Sequence, residues 1–276
     1  VVEEAYLELL TDDGPKRIVD FADNPLHIVS YSPAFKGELS FEELEPHLYT
    51  SKKRPDAVPW IFKYYDRDWG FCLTQNEFDK LPRDGRYRAV VRTRFDPGEL
   101  SVLEYTLPGE SDEYFLIVCA VCHPMQVNDS ITGVSVAVDF ARRRAAEAPG
   151  SLGLKILFLP ETIGSIAYFA NNEDVIEKCR FGLFTEFVGN DAPLRLQRSR
   201  EGDTLIDDIA RHVLKERTGD NFIDGPFCHT VITNDEKVTN APGVDIPTIA
   251  LNRWPEGGWD RYHTDDDNPA AMNLDY

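Results

Sequence analysis

The chain has 276 residues, 42% of them hydrophobic, which is enough for one large α/β domain or for a core domain that carries a smaller one. Its formal net charge of -19, from 29 basic and 48 acidic residues, argues against a nucleic-acid or anionic-membrane partner, because both require clustered Lys and Arg. The five cysteines favour reduced thiols in a cytoplasmic protein, and no apolar run approaches the roughly 20 residues of a membrane span. The sequence leaves the oligomeric state open.

The first third of the chain is predicted to consist of short β-strands. A hairpin is expected near the start, where AYLELL and RIVDF flank the turn TDDGPK. The segments HIVSYS, AVPWIFKYY, WGFCL and YRAVVRTRF are typical of strands between turns, and Ser40 is expected to cap a short helix. No helical pattern here is long enough to cross over a parallel sheet. We therefore assign residues 1–25 to the N-terminal part of the core and residues 26–107 to a small β-rich inserted or lid domain.

Residues 108–276 are predicted to form the catalytic core. The apolar segments FLIVCAV, LKILFLP, FGLFTEFVG and DIPTIALN indicate buried strands. Helical patterns lie between them, in GVSVAVDFARRRAAEA, GSIAYFANNEDVIEKC and DTLIDDIARHVLKER. This alternation predicts an α/β fold with three layers, a mostly parallel sheet flanked by helices.

Polar side chains follow the apolar strands. They are His123, Asp129, Glu161, Glu186 and His263. Ligands of open α/β sheets bind beyond the carboxyl ends of the strands, so these side chains are expected to converge. Imidazole nitrogen and carboxylate oxygen are donors that suit zinc. The pattern therefore predicts a zinc site.

Each of these residues also has a purely structural interpretation. A lone His after a strand is usually structural, Asp129 could cap the helix that follows it, and Glu161 could complement a helix dipole. Glu186 is the hardest to explain in this way, because it places a charge in an apolar strand. A second pattern, Cys119 to His123, formally matches the c-type haem attachment motif. We reject haem attachment because both thiols would lie within a buried strand.

The series of motifs resembles the zinc-aminopeptidase family of metallo-exopeptidases, of the bacterial leucyl aminopeptidase and glutamate carboxypeptidase type. That family has a His after a strand, then Asn-Asp-Asn-x-Ser-Gly, a Glu-Glu pair, Asp-Met-x-Gly and a final His-Thr. The corresponding segments here are His123, Asn128-Asp129-Ser130-Ile131-Thr132-Gly133, Glu161-Thr162, Glu186-Phe187-Val188-Gly189 and His263-Thr264. The chain is similar over nearly its whole length to a bacterial branch described as proteins with an aminopeptidase-like domain.

The resemblance implies roles for these residues. His123, Asp129 and Glu186 would hold one metal, Asp129 would bridge to a second held by His263, and Glu161 would be the general base. Two departures affect this assignment: Thr162 replaces a usual ligand of the second metal, and Glu186 replaces an Asp. One or two zinc ions are therefore expected.

The implied activity is hydrolysis of an amide, either at the N-terminus of a small peptide or in a small amide metabolite. Candidates for substrate contacts are Asp235, Glu236, Tyr262 and Trp69. Trp69 could instead belong to the core of the small domain. Two other functions stay open at this point, a catalytically impaired binding or scaffold protein on a peptidase fold, and a tailoring amidohydrolase of polysaccharide or natural-product biosynthesis.

Overall fold

The protein is described by a computed structural model that covers residues 1–228 and 234–273. The chain divides into two compact units. The first comprises Val1–Gly98 and Asp260–Asn268, and the second comprises Glu99–Trp259 and the residues from Pro269 onward.

The first unit is built on an antiparallel sheet of four strands in the order β2-β1-β6-β3, with a separate pair β4-β5. Its strands are β1 (Val2–Thr11), β2 (Gly14–Asp20), β3 (Phe35–Ser40), β4 (Leu48–Tyr49), β5 (Phe71–Cys72) and β6 (Arg86–Thr93), and its helices are α1 (Phe41–Leu44) and α2 (Gln75–Phe78). The predicted cap of α1 is confirmed, because the Ser40 side chain accepts from the Glu43 N–H while the Glu43 carboxylate accepts from the Ser40 N–H.

The first 25 residues are placed differently from our prediction, which assigned them to the catalytic core. Strand β1 pairs with β2 and, in antiparallel register, with β6, so that Leu7 lies opposite Ala89. Both side chains are buried in the core of the first unit, together with Tyr87. The hairpin is therefore part of the β-rich unit. The sequence prediction was wrong because β6, the strand that pairs with β1, lies about 80 residues downstream.

The second unit contains a mixed sheet of seven strands in the order β12-β11-β13-β10-β8-β9-β7. The strands are β7 (Leu103–Leu107), β8 (Tyr114–Ala120), β9 (Gly153–Leu159), β10 (Cys179–Thr185), β11 (Leu194–Gln197), β12 (Phe222–Gly225) and β13 (Thr248–Asn252). The central run β9-β8-β10-β13 is parallel, whereas β7 and β11 lie antiparallel to β9 and β13.

Helices cover both faces of this sheet. They are α3 (Thr132–Ala145), α4 (Ile163–Asn171), α5 (Glu173–Lys178), α6 (Leu205–Thr218) and α7 (Glu236–Thr239). Along β8, Leu116 and Val118 pack toward the face that carries α4 and α5, while Ile117 and Cys119 pack toward α3. The predicted α/β class with a mostly parallel, helix-flanked sheet is confirmed. Within the described ranges, none of the helices has the length and apolarity to cross a membrane.

Three details of the second unit differ from the sequence prediction. Strand β7 was expected in the β-rich insert but forms an edge of the seven-stranded sheet. The single helix expected between β9 and β10 is two helices, which are separated at Asn172 (φ -139°, ψ 58°). The Asn172 side-chain amide donates to the Tyr168 carbonyl and so replaces a backbone bond of the helix. Strands β11 and β12 were not predicted.

Candidate metal and catalytic site

The carboxyl ends of neighbouring parallel strands bring four of the predicted site residues to one edge of the sheet. His123 follows β8, Glu161 follows β9 and Glu186 follows β10 directly. Asp129 lies on a π-helical turn, Val127–Ile131, between β8 and α3. Such turns are frequent at functional sites. All four residues belong to the second unit.

The His123 imidazole is held in the orientation of a metal ligand. The Gln126 side-chain oxygen accepts hydrogen bonds from the backbone N–H groups of Cys122 and His123, at 3.3 and 3.1 Å. His123 Nδ1 lies 2.9 Å from the Pro124 carbonyl oxygen, which can only accept, so Nδ1 carries the proton. A His that ligates a metal typically donates a hydrogen bond from its second ring N–H to a carbonyl in this way.

His123 Nε2 faces the buried Asp129 carboxylate, with 3.2 Å between Nε2 and Oδ2. Two zinc ligands at about 2.0–2.1 Å with a tetrahedral angle between them lie about 3.3 Å apart. The two atoms are therefore spaced as ligands of one ion. Burial lowers the pKa of His123, but the hydrogen bond and charge of Asp129 outweigh it and raise the pKa. The Asp129 carboxylate thus stabilises positive charge next to it.

Gly133 allows α3 to approach the end of β10 closely. A Cβ at this position would lie 1.9 Å from the Thr185 carbonyl oxygen and 3.2 Å from the Glu186 Cα. The contact is reinforced because the Phe187 N–H donates to the carbonyl oxygens of Asn128 and Asp129, at 2.9 and 3.2 Å. Glycine in this motif therefore brings Asp129 and Glu186 together.

Glu186 is only 3% exposed. The Asn234 side-chain amide donates to Glu186 Oε2 at 2.6 Å. Burial raises the pKa of Glu186 well above its usual value, and the charge of Asp129 raises it further. The hydrogen bond from Asn234 favours the ionised form of Glu186, and a nearby cation would favour it further.

Glu161 belongs to the same cluster of carboxyl groups. Burial and the charge of Asp129 raise its pKa, while Lys237 and His123 lower it in part. A carboxyl with a raised pKa is suited to accept and then release a proton near neutral pH.

Asp235 and Glu236 are buried and hydrogen-bonded within the protein, which differs from their predicted role as substrate contacts. Asp235 Oδ1 accepts from the Thr162 N–H at 2.9 Å and from the Ser165 hydroxyl at 2.5 Å. Glu236 accepts from the Gln197 side chain at 2.8 Å and from the Asn234 N–H at 2.9 Å. Burial raises the pKa of Asp235 to about 7, although its hydrogen bonds with Ser165 and Thr162 act to lower the pKa. Their hydrogen-bond partners include Thr162, which follows Glu161, and Asn234, which contacts Glu186.

Sequence reasoning missed Asn234, Gln126 and Ser165. These polar residues contact site residues through hydrogen bonds, one of which spans 70 positions of the chain. No local motif marks such partners, although Asn234 does lie next to the acidic pair in the sequence.

The other predicted site residues belong to the first unit. His263 has φ 57°, its carbonyl accepts from the Trp60 N–H at 2.6 Å, and its ring stacks on Tyr262 at 3.6 Å. Its metal ligation and the substrate contact of Tyr262 stay predictions. Trp69 is covered on both ring faces, by Phe35 at 4.1 Å and His47 at 4.0 Å. This packing in the hydrophobic core gives no support to the predicted substrate contact of Trp69.

The prediction that both thiols of the Cys119 to His123 segment lie within a buried strand is wrong for Cys122. Cys119 is fully buried within β8, whereas Cys122 lies beyond the strand and is exposed. The two thiols therefore occupy different environments. All five cysteines of the chain are free thiols in the structure.

Comparison with known proteins relates the chain to aminopeptidase-like domains. The family model described as "Domain of unknown function (DUF4910)" matches residues 25–276. A protein of Clostridium acetobutylicum, provisionally named a polysaccharide biosynthesis protein with an aminopeptidase-like domain, is 33% identical over 274 residues, or 99% of this chain. The chain spans 61% of the length of that relative.

Solved structures share the fold. A crystal structure of a protein from Clostridium acetobutylicum, provisionally described as a peptidase, has a TM-score of 0.90 at 33% identity and covers 99% of this chain and 63% of that one. A zinc aminopeptidase of Bacillus subtilis has a TM-score of 0.68 at 12% identity, and the match covers 99% of this chain and 78% of that one. The glutaminyl cyclase of Porphyromonas gingivalis has a TM-score of 0.52 at 18% identity, and the match covers 67% of this chain and 71% of that one. The fold is therefore that of zinc exopeptidases.

Proposed function

The chain belongs to the DUF4910 family, and from the site that it carries we propose that it is a zinc-dependent hydrolase of the aminopeptidase type. It would cleave an amide, either an N-terminal peptide bond or an amide in a small metabolite. The observation that carries the proposal is the paired arrangement of His123 Nε2 and Asp129 Oδ2, 3.2 Å apart. Glu186 and Glu161 lie in the same electrostatic cluster.

The donor set fits zinc. His123 has its tautomer fixed by the Pro124 carbonyl, and Asp129 and Glu186 supply buried carboxyl oxygens. A nearby cation would favour the ionised form of Glu186, whose pKa is raised by burial. We propose these three residues as ligands of one ion. His263 is proposed as a further ligand from the resemblance alone. Since Thr162 offers no carboxylate, a second ion would have fewer ligands than is usual in the family.

Bound zinc would supply Lewis acidity, polarising the amide carbonyl and lowering the pKa of water toward about 7. The protein residues then handle the proton. Glu161 accepts it from the attacking water and returns it to the leaving amine nitrogen, a role that its raised pKa suits. Asn234 holds Glu186, and Gln126 holds the backbone of His123. The ligands are thereby positioned before substrate arrives.

A second candidate function is a tailoring amidohydrolase that acts on an amide of a sugar or a polysaccharide precursor. The name of the Clostridium acetobutylicum relative favours it. It uses the same site and the same base, so the two candidates differ only in substrate. The third candidate is a non-catalytic binding protein, and the absence of a carboxylate at Thr162 favours it.

The test is hydrolysis of a panel of aminoacyl 4-nitroanilides and N-acetylated amino sugars by the zinc-loaded protein. We expect turnover of at least one class, and we expect Glu161→Gln to lower kcat by at least about 100-fold while zinc content is unchanged. The exposed Glu216→Gln on α6 is the matched control and should retain wild-type activity. A Glu161→Gln variant that is as active as wild type would refute the assignment of the base. No turnover in any class would favour the binding protein.

A further inference from the structure

The residue after Glu161 has an unusual backbone conformation. Thr162 has φ 62° and ψ -58°, and the Ile163 N–H donates to the Glu161 carbonyl at 2.6 Å. These values define the direct γ-turn, the rare and strained counterpart of the inverse γ-turn. Threonine is β-branched, so a positive φ is especially unfavourable for it. Residues in such conformations persist only where the surroundings hold them, and they cluster at functional sites.

A buried carboxylate holds this turn. Asp235 Oδ1 accepts from the Thr162 N–H at 2.9 Å and from the Ser165 hydroxyl at 2.5 Å. Asp235 is fully buried, and Ser165 lies in the first turn of α4. The carboxylate therefore bridges the γ-turn and the helix that follows it. Breaking hydrogen bonds to a buried acceptor leaves polar groups unpaired at a cost, so this bridge can offset the cost of the strained turn.

The turn connects two rigid elements. Strand β9 is buried before it, and α4 is anchored after it by the buried Tyr168 and Phe169. Glu161 is the first residue of the turn, so a change in φ at Thr162 displaces it relative to both elements. The neighbouring Gly164 N–H donates to the Pro160 carbonyl at 2.8 Å, which closes the loop around the turn.

We propose that Asp235 is a positioning residue, which sets the location of the Glu161 carboxylate by holding the strained γ-turn at Thr162. This inference deepens the proposed function, since it assigns how the base is held, and its catalytic consequence rests on that function. Asp235 acts through Thr162 and Ser165, not by contact with substrate.

The structural test compares crystal structures and amide exchange of wild type, Asp235→Ala and Asp235→Asn. Asparagine keeps an acceptor oxygen for both donors, whereas alanine removes it. In D235A we expect Thr162 to relax to a negative φ, the Glu161 carboxylate to move by about 1 Å or more, and the Thr162 amide to exchange at least roughly tenfold faster. D235N should retain the turn. If Thr162 keeps its positive φ and Glu161 its place in D235A, the proposal is wrong.

The test does not depend on D235A folding. In the wild-type protein the Thr162 amide should be protected from exchange to the same degree as amides of β9, and an unprotected Thr162 amide would overturn the proposal. In a D235A background, Thr162→Gly should restore the turn, because glycine adopts a positive φ without the steric cost.

The kinetic test uses the aminoacyl 4-nitroanilide or N-acetylated amino sugar that is turned over fastest. D235A should lower kcat about 100-fold, the loss that a 1 Å misplacement of a catalytic group brings, with KM and zinc content unchanged. D235N should stay within about threefold of wild type, because it keeps the hydrogen bonds. Equal losses in D235A and D235N would instead indicate that the charge of Asp235 matters, and would refute positioning. If no substrate is turned over, the proposed function fails, while the crystal structures still decide whether Asp235 holds Glu161.

Discussion

Substitution of Gly133 by alanine should separate Asp129 from Glu186. The added Cβ would lie 1.9 Å from the Thr185 carbonyl oxygen and 2.7 Å from its carbonyl carbon. Both atoms belong to the backbone of β10, so no rotation of a side chain can relieve the overlap. A normal contact requires α3 and the preceding turn to move away by about 1 Å. Overpacking of this kind costs about 3 kcal/mol of unfolding free energy when backbone must move.

The expected consequences of Gly133→Ala are a loss of stability and of zinc affinity. For a chain of this size about 3 kcal/mol corresponds to a fall in Tm of roughly 6–12 °C. The displacement also moves the Asp129 carboxylate away from its zinc-binding position, so zinc affinity should fall at least about tenfold. Denaturant unfolding and competition with a zinc chelator measure the two effects.

Gly98→Ala is the matched control for this substitution. No atom lies within 4 Å of a Cβ placed at Gly98, and its φ is not positive, so the variant should match wild type in both assays. A Gly133→Ala variant with wild-type Tm and wild-type zinc affinity would refute the view that close helix-to-strand approach builds the site.

Three further predictions concern polar groups of the site. Asn234→Ala leaves Glu186 Oε2 without its donor, so the unfolding free energy measured by denaturant unfolding should fall by about 1–3 kcal/mol. A variant with wild-type stability would exclude this hydrogen bond. Because burial raises the pKa of Asp235 from 3.8 to about 7, the metal-free folded state binds this proton more tightly than the unfolded state. The wild type should therefore lose stability relative to Asp235→Asn as pH rises from about 4 to about 7, and a pH-independent difference would contradict the shift. His263→Ala should lower the zinc content measured by elemental analysis if His263 is a ligand, and an unchanged content would remove it from the ligand set.

Much of the candidate site could be predicted from the sequence because its ligands follow apolar strands. His123, Glu161 and Glu186 directly follow or lie close to strands of one parallel run, so the topology alone brings them to one edge. The roles of Asp235 and Glu236 could not be predicted. Their burial depends on hydrogen bonds to Thr162 and Gln197, which are distant in the chain.

The fold, like the site, could be predicted from the sequence only in part. The strands β8, β9, β10 and β13 carry strong apolar patterns, and their order along the chain was predicted, whereas the short strands β11 and β12 were not. The assignment of residues 1–25 was wrong because the pairing of β1 with β6 depends on a strand far along the chain. The break at Asn172 was missed because both halves of the segment have helical propensity, and a side-chain hydrogen bond decides where the helix ends.

The central claim is that His123 and Asp129 bind a divalent cation, and quantification of zinc bound per chain tests it most directly. The protein is loaded with zinc, passed through a desalting column and analysed by elemental mass spectrometry beside His123→Ala. We expect at least one zinc per wild-type chain and a loss of that ion in the variant. A wild-type chain that retains no zinc, or a variant that retains as much as wild type, would contradict it.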